Sequence, residues 1–390
     1  MEQRRVTRKS TRESGIQPTD FPTTTLALEY SFGNRKKVQK INIGKTQTFE
    51  LGDLPDEVIL NILSYLSMKE LMNCGQVSKR IRAISHDEAL WRKVNLQGLK
   101  VSTDFLEMIL NNGCKHLSLK QTQLVGNLCL RNKSQLKYLD LDNCKADRQS
   151  NAGSYFGYEL FEKLLASCYS LEALSLAQKP LTSEIVKNLC YQNGKTLQIL
   201  NLTNSDRYHS EDSIKLIVRN CTELREVDFS FIEIPQDVLD YLANNLTPKI
   251  KKLNLYYQRE LTDEHVKALV CRCNKITDLN LSGTKISKVA LMSIIGNLKL
   301  SLEKLRLPQS QDIHITSLSQ LKSFSRLRIL DCDLTCHCCH WDFESLRKQL
   351  PHVSIINPRV EELPHHFIGA IDEFAHPHCN CLKCHKRKIF

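Results

Sequence analysis

The sequence has no long apolar run: nothing in it approaches the roughly 18–20 consecutive apolar residues that a membrane helix needs. Its first residues, MEQRRVTRKSTRES, hold no apolar h-region, so no secretory signal is expected. Catalytic signatures are missing too, with no P-loop, no nucleophile elbow and no glycine-rich dinucleotide turn. The expectation is a soluble intracellular protein with no enzyme activity of its own. Its 16 cysteines are then thiols in a reducing compartment, and sequons such as Asn201-Leu-Thr and Asn245-Leu-Thr are coincidences.

What is present is the composition of a folded chain, 41% apolar and 25% charged, which excludes a mostly disordered protein. A length of 390 residues leaves room for two to three domains. Lys and Arg outnumber Asp and Glu, 54 to 43, for a formal charge of +11. Residues 1–50 hold ten basic and five acidic side chains with few periodic apolar positions. They read as a mostly disordered arm, with a strand-like patch around Thr25–Phe32. The bulk of the chain is close to charge balance, so the arm (Arg4, Arg5, Arg8, Lys9, Arg12, Arg35, Lys36, Lys37) is where nucleic acid or an acidic protein would be met.

At Leu51 the character changes, and the stretch to about residue 95 reads as three short helices. Asp53 is the expected cap of the first, with Pro55 near its start. Leu54, Val58, Ile59, Ile62, Leu63 and Leu66 then recur at helical spacing. Met68 to Leu71 opens a second helix and Ser78 a third. So small a unit is barely able to bury its own core, and this much apolar surface must lean on something else.

The remainder repeats. Triplets of the form Leu-x-x-Leu-x-Leu end at positions 141, 176, 202, 229, 255, 281, 307 and 332, in steps of 35, 26, 27, 26, 26, 26 and 25. Val94–Leu96, His116–Leu119 and Val353–Ile355 look like degenerate end units. Amphipathic helices lie between the triplets, as in Pro235–Leu242 and Thr262–Val270, each opened by a capping residue or a proline. One strand and one helix every 26 residues is a leucine-rich repeat, and such units stack into a curved solenoid with strands on its concave side. The long step holds a polar insertion near Lys145–Tyr158. The fold expected is α/β, with a helical unit at 51–95, repeats at 96–357 and a Cys/His-rich tail at 358–390.

Residues 51–94 resemble the F-box, through Leu54-Pro-Asp-Glu57, the Ile59/Ile62/Leu63/Leu66 stripe, Leu71, Val77–Arg80 and Asp87–Trp91; Ile81 stands where many members place Trp. The repeats resemble the cysteine-containing class, with Cys168, Cys221 and Cys273 each three residues before the strand consensus. Together these features are similar to the F-box/leucine-rich substrate receptors, most of all the S-phase-kinase-associated type. The resemblance implies that Leu54, Pro55, Ile59, Ile62, Leu63, Leu66 and Trp91 face a Skp-family adaptor or support that face, and that a cullin and a RING subunit follow through the adaptor. The alternative is that these residues only pack the three helices together.

Substrate would bind the concave strand face, where outward positions alternate with inward leucines. Asn254, Tyr256, Tyr257, Arg259, Asn280, Ser282 and Arg306 are the candidates; aromatic and Arg side chains suit hot spots, and Arg259 and Arg306 suit a phosphate or an acidic degron. The row also fits a plain solvated surface. If the closer resemblance holds, the substrate is a protein such as a phosphorylated CDK inhibitor, with a small Cks-type accessory subunit, in nucleus and cytoplasm. No membrane partner is expected, and nucleic acid is a rival reading through the arm. The other rival is a leucine-rich scaffold without ubiquitin transfer.

Residues 332–385 hold seven of the 16 Cys and eight of the 13 His. Cys336, Cys338, His340, Cys379, Cys381, Cys384 and His385 are the candidates for a structural zinc that would pin the tail to the last repeat. No cofactor is required by the fold, and a reduced thiol-rich tail or a redox pair at Cys338–Cys339 fits the same residues. The two tracts do not supply the eight ligands of a RING finger, and the repeats leave no room for a HECT-type domain.

Overall fold

The computed structural model describes residues 53–130, 132–146, 156–179, 181–205, 211–308, 313, 315–332 and 340–356. The basic arm, most of the insertion after Lys145 and the Cys/His-rich tail lie outside the described residues.

Leu54 onwards forms one unit. It opens with α1 (Asp56–Leu63), α2 (Met68–Cys74) and α3 (Lys79–Ser85). The first helix starts later than the sequence suggests: its N-cap is Pro55, not Asp53, and no side chain caps it. Asp56 and Glu57 put negative charge on its first turn instead, where the helix dipole favours it. Ser67 and Glu70 form a capping box on α2, and Ser78 accepts from the Ile81 amide at 3.1 Å to open α3. A further short turn, α4 (Glu88–Trp91), follows, capped by Asp87. Trp91 is 1% exposed; its indole N–H donates to the Ser85 carbonyl at 2.7 Å and its ring meets Phe105 edge-on.

Phe105 belongs to α5 (Thr103–Asn111), the first helix of the solenoid, so the small helical unit leans on the repeats. Glu88 reaches Lys115 at 2.8 Å and His86 meets Asn112 at 3.1 Å across the same seam. Gly113 (φ +81) lies so close to Glu88 that a Cβ there would meet its Cγ at 2.8 Å.

Beyond the seam runs one parallel sheet of 11 strands without a register shift. Its order is β1 (Lys93–Asn95), β3 (His116–Ser118), β5 (Tyr138–Asp140), β7 (Ala173–Ser175), β8 (Ile199–Asn201) and β9 (Glu226–Asp228). It continues through β10 (Lys252–Asn254), β11 (Asp278–Asn280), β12 (Lys304–Leu307), β13 (Ile329–Cys332) and β14 (Ser354–Ile356). All eight triplets and all three degenerate units are strands of it. A second sheet of three strands, β2 (Lys100–Ser102), β4 (Gln123–Val125) and β6 (Lys145–Ala146), runs beside the first repeats.

The other face is helical: α6 (Phe156–Ala166), α7 (Ser183–Asn193), α8 (Glu211–Asn220), α9 (Gln236–Asn245), α10 (Asp263–Arg272) and α11 (Lys288–Leu298), then α12 (Ile315–Leu318) and α13 (His340–Gln349). The core between the layers is a stack of leucine columns, such as Leu139, Leu174, Leu200, Leu253, Leu279 and Leu305, each 2% exposed or less. Each repeat buries itself only against its neighbours. The signature cysteines sit inside this stack: Cys168, Cys221 and Cys273 are fully buried and carry free thiols.

Candidate functional site: an F-box face and a concave strand face

The seven residues expected at the adaptor face divide into two groups. Ile59, Leu63 and Trp91 are core, 0%, 3% and 1% exposed. Leu54 and Leu66 are half-buried, while Pro55 and Ile62 are exposed. The first three therefore support the face from behind. The outer stripe is Val58 and Ile62 of α1 and Tyr65 just past its end, with Met72 and Val77 exposed on the following segment. Tyr65, the most open at 83%, and Met72 and Val77 are not among the sequence candidates. Arg80 braces the start of α1, with Nε and Nη2 on Asp56 Oδ1 (2.9 and 2.6 Å) and Nη2 on the Leu54 carbonyl (2.7 Å). An open cleft of about 430 Å³ between Leu63, Leu66, Met68, Leu71 and Asn95 separates this unit from the first strand.

On the concave face the outward polar row is largely occupied by the chain itself. Asn201, Asp228, Asn254 and Asn280 each accept, through Oδ1, the backbone N–H two residues on, at 2.8–3.1 Å. These Asx turns end each strand and start the bend that follows. Asn254 also donates to Asp228 at 2.7 Å, and Ser282 donates to the Leu307 carbonyl at 3.5 Å. Arg306 is held by Asp278 at 3.1 Å. Asn254, Asn280, Ser282 and Arg306 are thus first of all structural.

The remaining candidates behave differently. Three residues past the end of each of these strands the backbone enters the left-handed region, at Asn143 (φ 50), Gln178 (φ 61), Asn204 (φ 51), Phe231 (φ 58), Tyr257 (φ 64) and Gly283 (φ 70). Asn and Gly tolerate this conformation. Bulky aromatic residues do not, and each costs of order 1 kcal/mol there. Phe231 and Tyr257 nevertheless occupy it in successive repeats. Their rings cluster with Tyr256 at centroid distances of 4.8–6.1 Å. The Arg259 guanidinium lies 4.6 Å above the Tyr257 ring and donates to its hydroxyl. That bond is the chief reason Arg259 holds its proton above its ordinary value. Gly283 keeps the next turn clear: a Cβ there would stand 3.2 Å from the Tyr257 ring. Arg259 has no carboxylate partner among the described residues. The sequence reading named Tyr256, Tyr257 and Arg259 but missed Phe231, whose signal is its place 26 residues before Tyr257.

The residue after each left-handed position turns inward. Thr122, Ser205 and Gln258 donate from there to the Leu96, Leu176 and Phe229 carbonyls of the preceding repeat, at 2.7–2.8 Å. Lys179 holds the same place, 7% exposed, with its ammonium 4.6 Å over the Phe161 ring, and burial pushes its pKa down.

Of the zinc candidates, Cys336, Cys338, Cys379, Cys381, Cys384 and His385 lie outside the described residues, as does the side chain of His340. Among the described residues no group of three His, Cys, Asp or Glu could hold a metal ion.

The family model for the SKP2 LRR domain matches residues 104–361, more than half of the sequence, and an F-box-like model matches residues 51–97. The chain belongs to the SKP2 LRR domain family. A Caenorhabditis elegans protein named "Putative RNA-binding protein EEED8.10" is 23% identical over 66% of this chain and 35% of its own length. Mouse F-box/LRR-repeat protein 21 is 22% identical over 52% of this chain and 51% of its own. The chain spans about a third to a half of the length of these relatives. A Listeria monocytogenes internalin structure covers 77% of this chain at 16% identity with a TM-score of 0.40.

Proposed function

We propose that this chain is the substrate-recognition subunit of a Skp–cullin–F-box ubiquitin ligase. In this reading it works by proximity, presenting substrate lysines to a conjugating enzyme that other subunits supply. The observation that carries the reading is the buried Trp91 seam, which joins an F-box with an open apolar face to a solenoid with a strained aromatic–arginine platform. The F-box face of Val58, Ile62 and Tyr65 fits an adaptor helix. The platform fits a peptide with an anionic group beside an apolar one, since Arg259 is pre-oriented over a ring and has its remaining donors available. A phosphorylated cell-cycle regulator, with a Cks-type accessory subunit, is the finer form of the same proposal.

The test is co-purification with a Skp adaptor. Val58→Asp/Ile62→Asp should abolish capture while leaving the thermal unfolding of the chain unchanged. A well-folded wild type that captures no adaptor would sink the ligase reading. Degradation or ubiquitination of a bound partner then separates a receptor from a non-degradative scaffold.

A further inference from the structure

Outside the arm the charge is close to balanced in sum, but it is not balanced in place. The segments that lead from each helix into the next strand form one rim of the solenoid. In them the carbonyl of the residue before each strand accepts from the next repeat, so those residues stack in a row: Arg225 accepts from Lys251 at 2.7 Å, and Glu303 from Arg328 at 2.8 Å. Lys275 and Arg326 lie two residues upstream of this row, and Lys299 begins the segment that leads into β12. All six cations are exposed.

The acids of the same segments and of the strand starts that follow them are mostly taken. Glu223 is held by Lys249 at 2.6 Å, Glu226 by Lys252 at 2.9 Å and Asp278 by Arg306 at 3.1 Å, which leaves Glu303. None of the six cations has an ion-pair partner among the described residues. With strands roughly 4.8 Å apart, the rim from β9 to β13 is about 20 Å long. A row of cations this dense repels itself, and a bound polyanion relieves that repulsion.

We propose that this rim is a docking surface for an acidic polypeptide segment. The choice of a polypeptide over nucleic acid comes from two features. Lys304, the first outward residue of β12, carries the positive edge onto the concave face that further along bears Tyr256, so a protein seated on that face passes its flanking residues across the rim. The one aromatic ring in these connecting segments, Phe324, is buried, which leaves no surface for stacking bases. The assignment of the segment to a substrate rests on the reading of the concave face given above.

The full chain is titrated with fluorescein-labelled oligoglutamate, and separately with duplex RNA of matched charge, at several salt concentrations. In Lys251→Glu/Lys275→Glu/Arg328→Glu, oligoglutamate affinity should fall by roughly tenfold or more and lose much of its salt dependence. Lys187→Glu/Lys285→Glu/Lys288→Glu makes the same change in net charge on exposed lysines elsewhere and should stay within about twofold of wild type. The basic arm is common to all three proteins. Equal losses in both variants would reduce the effect to net charge and overturn the proposal. So would absent binding, or rim-dependent binding of RNA in preference to oligoglutamate. No adaptor is present in this titration, so the rim proposal and the ligase reading fail separately.

Discussion

Phe231 and Tyr257 are the two positions where an aromatic ring sits on a left-handed backbone, Phe231 half-buried and Tyr257 exposed. Asn143 and Asn204 fill the same left-handed position in other repeats, so asparagine is a substitution the turn is known to accept. Phe231→Asn/Tyr257→Asn should change stability by no more than about 1 kcal/mol, because relieved strain offsets the lost ring contacts. Capture of the substrate should fall by roughly tenfold or more. Unchanged capture would reduce the cluster to packing. Asp142 offers a second test at this scale. Burial raises its carboxyl above the ordinary value of 3.8, against the opposing hydrogen bond from Ser175. A folded-state value above the unfolded one means that stability is lost as pH rises through the folded value. Asp142→Asn keeps an acceptor for Ser175 and should melt higher than wild type at neutral pH, with the gap closing as pH falls toward 3.8. Alternation along a strand tells which side chains point outward, and it located Tyr256 and Asn254 alike. It does not tell whether an outward group is consumed by the next backbone N–H. The i to i+2 Asx turn at Asn254 and Asn280 therefore reads in sequence as free polar surface.

At the scale of single elements, α1 carries two apolar stripes that one periodicity cannot separate. Ile59 and Leu63 face inward and Val58 and Ile62 outward, because α3 packs against one side of α1 only. Ile59→Ala should cost about 2–5 kcal/mol in denaturant unfolding, where Ile62→Ala costs little, and a reversed order would mean that the two stripes are exchanged. The 26-residue period was the strongest signal in the chain and located eight of the 11 strands of the main sheet, since every unit must present the same face to its neighbours; the other three were legible only as degenerate end units. The cap of α1 was less legible, because Asp53 and Pro55 are both good N-terminal signals. The cysteine column behaves as an element of the core. Burial pushes the thiols of Cys168 and Cys273 up to about 11 and that of Cys144 up to about 12, so they stay protonated and inert. Maleimide labelling of the native chain, mapped by peptide mass, should therefore mark Cys129 and Cys271, which are exposed, before any of these three.

For the whole molecule, in the proposed ligase, the seam around Trp91 decides whether the adaptor face and the substrate face act as one device. Catalysis by proximity depends on how narrowly the substrate is held relative to the conjugating enzyme, and a flexible joint spreads the same substrate over a larger volume. The bonds that fix the joint include the Trp91 indole on Ser85, His86 beside Asn112, Glu88 on Lys115, and the Arg92 carbonyl, which accepts from the Lys115 and His116 N–H groups. A short Gly/Ser insertion between His86 and Asp87 lengthens the connection while leaving α1–α3 and every strand intact. Adaptor capture should survive, because the outer stripe of α1 is untouched, and substrate capture should survive, because the platform lies in repeats far along the chain. The rate of ubiquitin transfer in the reconstituted ligase should nevertheless drop by roughly tenfold, as effective concentration falls with linker length. An insertion variant that binds both partners and transfers at the wild-type rate would show that the seam only stabilises the F-box, and that the geometry of transfer is set elsewhere in the assembly.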